Sequence, residues 1–160
     1  MKSEINIEER IKKGICLFES GYNCTQSVVG AFCDIYDIPQ NYALRIASSF
    51  GGGIGRMRLT CGAACGMFML AGLENGCEQP KEPVIRAENY KLVQTLANEF
   101  KAKNGALECS QLLNLKKIAK QSAVPEKRTA RYYSSRPCSK IVGEACRIYA
   151  EYLRDKEVKE

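Results

Sequence analysis

The sequence predicts an all-α fold: a single-domain bundle of about five to seven helices around a buried helix of small residues. Three observations carry this expectation. Apolar residues recur at helical spacing along most of the chain. The periodic segments end at helix-stop signals such as Gly21, Gly76 and Gly105. No alternating strand pattern competes with them. A chain of 160 residues suits one domain, 1–160, and buries a core without needing disulfides or metal.

The first helix is expected over residues 7–20, with Ile11, Ile15 and Phe18 on one face and Gly21 as its stop. The second is expected over 23–36, where Cys24, Val28, Ala31, Phe32 and Ile35 form one stripe. Asn23 is its candidate N-cap, and Asp37-Ile38-Pro39 ends it. A short helix follows over 41–49. Residues 50–60 then form a loop in which Gly51, Gly52, Gly53 and Gly55 permit positive φ or close backbone approach. The loop matches neither a Walker A nor a dinucleotide fingerprint, because the required spacing is absent. It reads as a structural turn rather than an anion nest.

The loop feeds a helix expected over 61–74. Its Gly62, Ala63, Ala64, Gly66, Ala71 and Gly72 invite close packing. Its Met67, Phe68, Met69 and Leu70 are apolar on every side, as befits the central, buried helix. Pro83 opens a long helix over 82–103 whose buried stripe is Val93, Leu96, Ala97 and Phe100. Asn104-Gly105 closes it, and a short helix begins near Cys109. The last helix follows Pro137-Cys138 and runs to about 155, burying Ile141, Val142, Ala145, Ile148, Tyr149, Tyr152 and Leu153.

The apolar fraction of 45% and the charged fraction of 26% are those of an ordinary globular protein. The unusual counts are nine cysteines with no histidine and no tryptophan. Without histidine there is no Ser-His-Asp or Cys-His nucleophile pair, and no His-ligated zinc, Rieske centre or haem. Metal bound by this chain alone must be held by thiolate, carboxylate, thioether or backbone. Residues 1–14 are charged and carry no apolar signal-peptide core. The longest apolar stretch, residues 63–73, is too short to span a bilayer. A cytoplasmic location with reduced thiols is therefore expected.

Four cysteines, Cys24, Cys61, Cys109 and Cys138, fall at or near expected helix starts, where a thiolate is stabilised for redox work or metal ligation. With Thr60 as N-cap, Cys61 would sit in a first turn near Arg56 and Arg58, which would lower its pKa. Packing as a small buried residue is an equally weighted role for it. Cys65 lies one turn beyond Cys61 and reads mainly as packing. Cys16, Cys33 and Cys146 read as core, and Cys77 as a loop thiol. No C-x-x-C and no ferredoxin spacing is present. The segment 116–147 holds nine Lys or Arg against two Glu, together with Tyr132 and Tyr133. It reads as a solvated loop before the last helix, with contact to an anionic partner as the sharper alternative.

Cys61-Gly62-Ala63-Ala64-Cys65-Gly66, with Cys24, Cys109 and Cys138 around it, resembles the C_GCAxxG_C_C family, which is named for redox activity. Residues 22–28 (Tyr-Asn-Cys-Thr-Gln-Ser-Val), the Phe-Gly-Gly-Gly-Ile-Gly-Arg loop at 50–56, and Asn104-Gly105 ahead of Cys109 extend the resemblance over about 10–155. It implies a functional set of Cys24, Cys61, Cys109 and Cys138, with Gly62, Ala63 and Gly66 shaping the motif helix. Cys65 fills a variable motif position and adds a thiol. The expected function is that of a redox protein, a thiol or metal-thiolate oxidoreductase or electron carrier. Its four cysteines would either ligate an iron–sulfur cluster or zinc, or cycle between dithiol and disulfide. Four thiolates without histidine tilt the choice towards metal. In the thiol version Cys61 is the attacking group. The alternative is a non-enzymatic binding module using the basic 116–147 segment. A redox partner is implied, a membrane span and nucleic acid are not, and a homodimer is left open.

Overall fold

The structure is a computed structural model that describes residues 4–115 and 122–160. The first helix, α1, spans Ile7–Glu19. Asn6 caps it by accepting from Glu9 N at 3.1 Å, and Glu8 and Glu9 lie in the first turn, where the dipole favours them. Gly21 ends it at φ 108°. The second helix, α2, spans Cys24–Gly30 and opens on a capping box between Asn23 and Gln26. The single helix expected over 23–36 is broken: α2 stops at Gly30 and a 3₁₀ turn, Cys33–Tyr36, follows. Arg10 donates to the Ala31 carbonyl at 2.9 Å, which satisfies an end group left open by the early stop.

Helix α3 (Gln40–Ala47) leads through a 3₁₀ turn, Ser48–Phe50, into the glycine loop. Helix α4 is Gly62–Asn75, α5 is Pro83–Asn104, and α6 is the single turn Cys109–Leu112. Pro83 starts α5, and Gly105 at φ 90° ends it. A further helix, α7 (Ala130–Ser135), lies inside the basic segment and is capped by Thr129. The last helix, α8, is Cys138–Lys159.

Helix α4 is the buried centre, with Gly62 to Met67, Leu70 and Ala71 all inside. It packs on α2, α5 and α8, while α1 lies along α8. Two glycines set the α1–α8 distance. A Cβ on Gly14 would clash with Cys146 Sγ, and one on Gly143 would come to 2.9 Å from Ile15 Cδ1. A Cβ on Gly66 would sit 2.8 Å from Val28 Cβ, so α2 and α4 also touch closely. Gly72, by contrast, is exposed with nothing within 4 Å, so it plays no part in the close packing expected of it.

Tyr149 is buried at the α4–α8 contact. It stacks edge-on to Phe32 with centroids 5.1 Å apart and donates to the Leu70 carbonyl at 3.0 Å. One continuous apolar core joins these helices into an all-α single domain. The one extended pairing among the described residues is an isolated antiparallel bridge between Thr60 and Glu108. No helix among the described residues is long and apolar enough to cross a membrane.

Candidate functional site

Four separate helix starts converge on one cavity. Cys24 opens α2, Cys61 immediately precedes α4, Cys109 opens α6 and Cys138 opens α8. All four line a cavity of about 60 Å³, room for a few water-sized groups. Arg58, Arg128, Arg136 and Tyr132 complete its polar wall, and Phe18, Leu112 and Ile141 its apolar one.

Glycines make room for the sulfurs. The missing Cβ of Gly62 leaves space for Cys24 Sγ, which lies against the residue next to Cys61. The missing Cβ of Gly53 admits Cys109 Cβ, which would otherwise be 2.6 Å away. The loop that supplies Gly53 has positive φ at five successive residues: Gly52, Gly53, Ile54, Gly55 and Arg56. Such a run is rare for L-residues, and the β-branched Ile54 makes it a strained one. Backbone bonds hold it closed, from Gly55 N to Ser49 O at 2.8 Å and from Leu59 N to Gly53 O at 2.9 Å. Arg58, also at positive φ, is buried and donates to Cys109 Sγ at 3.6 Å.

Cys61 departs from its expected geometry. Thr60 does not cap α4. It bridges to Glu108, and Cys61 itself is the N-cap, with extended ψ of 132°. The Cys61 N–H goes to the Leu107 carbonyl at 2.9 Å, which ties the residue to the strand-like entry of α6. Its pKa is raised well above the ordinary thiol value, not lowered. Burial is the main cause, and a negative charge on Cys24 adds to it. The Ala63 and Ala64 amides pull the other way, and the net shift stays upward. The arginines expected beside it are engaged elsewhere: Arg58 with Cys109, and Arg56 with the Ser122 carbonyl at 2.6 Å and Glu126 at 3.4 Å.

Burial also pushes Cys138 and Cys65 up to about 11, and it raises Cys109 against the opposing pull of Arg58. In all four cases a charge on Cys24 raises the thiol further. Cys24 itself is only half-buried.

The remaining cysteines sort as follows. Cys33 and Cys146 are core, burial holding Cys146 at about 12, and Cys77 is an exposed loop thiol. Cys65 is buried but does not line the cavity; its Sγ faces the Thr60 carbonyl at 3.8 Å. Cys16 is not core. It is exposed because the inward face of α1 runs through Gly14 and Phe18, and position 16 lies well round the helix from both.

Lys116, Lys117 and Lys120 of the basic segment lie outside the described residues. Residues 122–129 are the irregular, largely exposed loop expected before the last helix, but Arg128, Tyr132, Tyr133 and Arg136 are half-buried and fold inward. Arg128 stacks on Phe18 and Tyr132, 4.5 and 4.8 Å from the ring centroids, and donates to the carbonyls of Phe18 and Tyr22. Arg136 lies 4.7 Å from the Tyr132 centroid and pairs with Glu126. These residues roof the thiol cavity. The signal that points to them is the interleaving of Arg128, Tyr132, Tyr133 and Arg136 directly before Cys138.

A family model described as "Putative redox-active protein (C_GCAxxG_C_C)" matches residues 22–152. The chain belongs to the C_GCAxxG_C_C family. The matched span begins just before Cys24 and ends well past Cys138, so it takes in every thiol on the cavity. Searches of curated proteins and of solved structures return no match. The family is named for its cysteines and for redox activity, which leaves the kind of thiol chemistry to the geometry. Among the described residues no three Cys, Asp or Glu side chains stand close enough together to hold a metal ion. Metal or cluster ligation by Cys24, Cys61, Cys109 and Cys138 would require the thiols to draw in from these positions.

Proposed function

We propose that the protein is a thiol–disulfide redox protein in which Cys24 is the attacking thiol and Cys61 the resolving one. The observation that carries this reading is the seating of Cys24 Sγ in the space left by Gly62, next to Cys61, on a shared cavity. Cys24 is half-buried at that cavity, whereas Cys61 is buried.

In the first step the Cys24 thiolate attacks one sulfur of a substrate disulfide. A protein–substrate S–S bond forms, the substrate S–S bond breaks, and the leaving thiolate takes up a proton. With its sulfur in the mixed disulfide Cys24 carries no charge, so it no longer repels a Cys61 thiolate. The Ala63 and Ala64 amides remain to favour the Cys61 thiolate. Cys61 attacks the Cys24 sulfur, closes a Cys24–Cys61 disulfide and releases the second substrate thiol. Two protein thiols are oxidised, and the substrate gains two electrons and two protons. The reverse sequence oxidises a substrate dithiol.

The test uses a Cys16→Ser, Cys77→Ser background, which removes the two exposed thiols and leaves seven of the nine. The reduced protein is equilibrated with bis(2-hydroxyethyl) disulfide, freed of it, and its thiols are counted in denaturant with its mass recorded. The expected result is loss of two thiols without an adduct, and no such loss once Cys24→Ser is added. Retention of all thiols overturns the reading. So does stoichiometric iron or zinc in anaerobically purified protein, which would assign the four cysteines to a metal centre.

A further inference from the structure

The thiol cavity has an outer neighbour. A cleft of about 310 Å³, within the size range of small-molecule sites, shares with it a wall made of Asn23, Gly52, Arg58, Arg128, Tyr132 and Arg136. Arg56 joins these residues on the cleft side, projected by the left-handed loop. Four arginines therefore line the cleft, against one carboxylate among the described lining residues, Glu126; Arg58 and Arg128 are also engaged, by Cys109 Sγ and by the Phe18 and Tyr22 carbonyls.

The arginines are not spread into solvent. The Arg56 and Arg136 side chains are 17% and 18% exposed, and Arg58 is buried. Glu126 is half exposed, and its single oxygen Oε1 accepts from both Arg56 and Arg136. Arg56 and Arg136 thus share one carboxylate, and two guanidinium groups withdrawn from water around a single carboxylate favour a further anion. The planar fork of Arg suits a carboxylate in particular. The cleft shares its wall with the cavity that holds the four thiols, so an anion held here would have its uncharged end directed at sulfur.

We propose that this cleft binds the carboxylate end of a small anionic disulfide, or of the thiol it yields, and delivers its sulfur to the thiol cavity. The proposal rests on the thiol-exchange reading above and adds the substrate class to it. Glu126 then acts as an internal stand-in for the ligand carboxylate on Arg56 and Arg136, displaced when the ligand arrives.

The test measures two-electron exchange with three disulfides that differ in charge: dithiodipropionate (anionic), bis(2-hydroxyethyl) disulfide (neutral) and cystamine (cationic). Each rate is divided by that of the same disulfide with free dithiothreitol, which removes intrinsic reactivity. The normalised rate is expected to be about tenfold or more higher for the anionic probe than for the neutral one, and lowest for cystamine. Salt should erode the anionic advantage and leave the neutral rate alone.

Arg56→Gln, at a residue that lines the cleft but not the thiol cavity, should bring the ratio of anionic to neutral rate down towards one. Glu126→Gln should raise the anionic rate, and it gives a second reading if Arg56→Gln disturbs the loop. Equal normalised rates for the three probes overturn the cleft assignment and leave the thiol reading standing. No exchange with any probe overturns both.

Discussion

Gly62 gives the most searching single substitution, because the close approach of Cys24 to α4 depends on its missing side chain. A Cβ added there would clash with Cys24 Sγ and stand 2.6 Å from Thr25 Oγ1 and 2.9 Å from the Phe50 carbonyl oxygen. Cys24 Sγ can swing aside, but the other two atoms cannot: Thr25 is fully buried, and the carbonyl belongs to the tight turn before the glycine loop. Overpacking of this kind costs about 1–3 kcal/mol. The helix-propensity gain of Ala over Gly returns less than about 1 kcal/mol at a first-turn position. Gly62→Ala should therefore lower the urea midpoint by roughly 1 M, given slopes of about 1–3 kcal/mol/M. It should also slow disulfide exchange, because Cys24 must move away from Cys61. Gly72→Ala on the same helix is the control. Nothing lies within 4 Å of its added carbon, so it should be neutral or stabilising by up to about 1 kcal/mol. Urea unfolding of both variants with parallel exchange assays decides the matter. A Gly62→Ala protein as stable and as reactive as its parent would refute the packing argument.

Four further outcomes follow from the same geometry. Arg58→Gln removes the cation that draws the Cys109 thiol down against burial. The pH at which Cys109 is alkylated by iodoacetamide, followed by peptide mass, should therefore rise, and an unchanged profile would contradict the contact. Arg128→Lys should destabilise by about 1–2 kcal/mol in denaturant unfolding although the charge is kept, because stacking on Phe18 and Tyr132 and two carbonyl bonds need the planar group. Tyr149→Phe should cost about 1–2 kcal/mol by removing the buried hydroxyl that donates to the Leu70 carbonyl and contacts the Tyr36 hydroxyl. Arg10 pairs with both oxygens of Asp34 at 2.6 and 3.0 Å and holds its pKa below 3.8. That contribution is full above the ordinary carboxylate value and is lost as pH falls through the lowered one. Asp34→Asn should accordingly flatten the acid limb of the stability curve by less than about 1 kcal/mol, since Asp34 is half exposed.

Much of the framework is legible in local sequence signals. Asn23 announces the start of α2, Pro83 and Gly105 bracket α5, and the apolar stretch at 67–70 marks α4 as central. The placement of Cys24, Cys61, Cys109 and Cys138 at helix starts is equally local. What is not legible depends on contacts between distant segments. The exposure of Cys16 follows from α1 turning Gly14 against Cys146 of α8, which the apolar stripe alone does not impose. The raised pKa of Cys61 follows from its burial and from a thiol 37 positions away in the chain, whereas the helix-start argument considers only its own turn. The inward fold of Arg128 depends on Phe18 and on the Tyr22 carbonyl, more than a hundred residues earlier. Composition marks the segment as charged, but only these partners turn it over the thiols.

The central claim, a two-electron dithiol–disulfide couple at Cys24 and Cys61, is tested most directly by a redox titration. Protein lacking Cys16 and Cys77 is equilibrated anaerobically in dithiothreitol buffers of graded ratio, quenched, alkylated and mapped by mass. The account predicts that Cys24 and Cys61 peptides oxidise together with a slope of about 30 mV per decade, the value for two electrons. Their joining as one cross-linked species, lost in Cys24→Ser, completes the prediction. Oxidation of neither residue across the range, or of Cys24 with a partner other than Cys61, contradicts it.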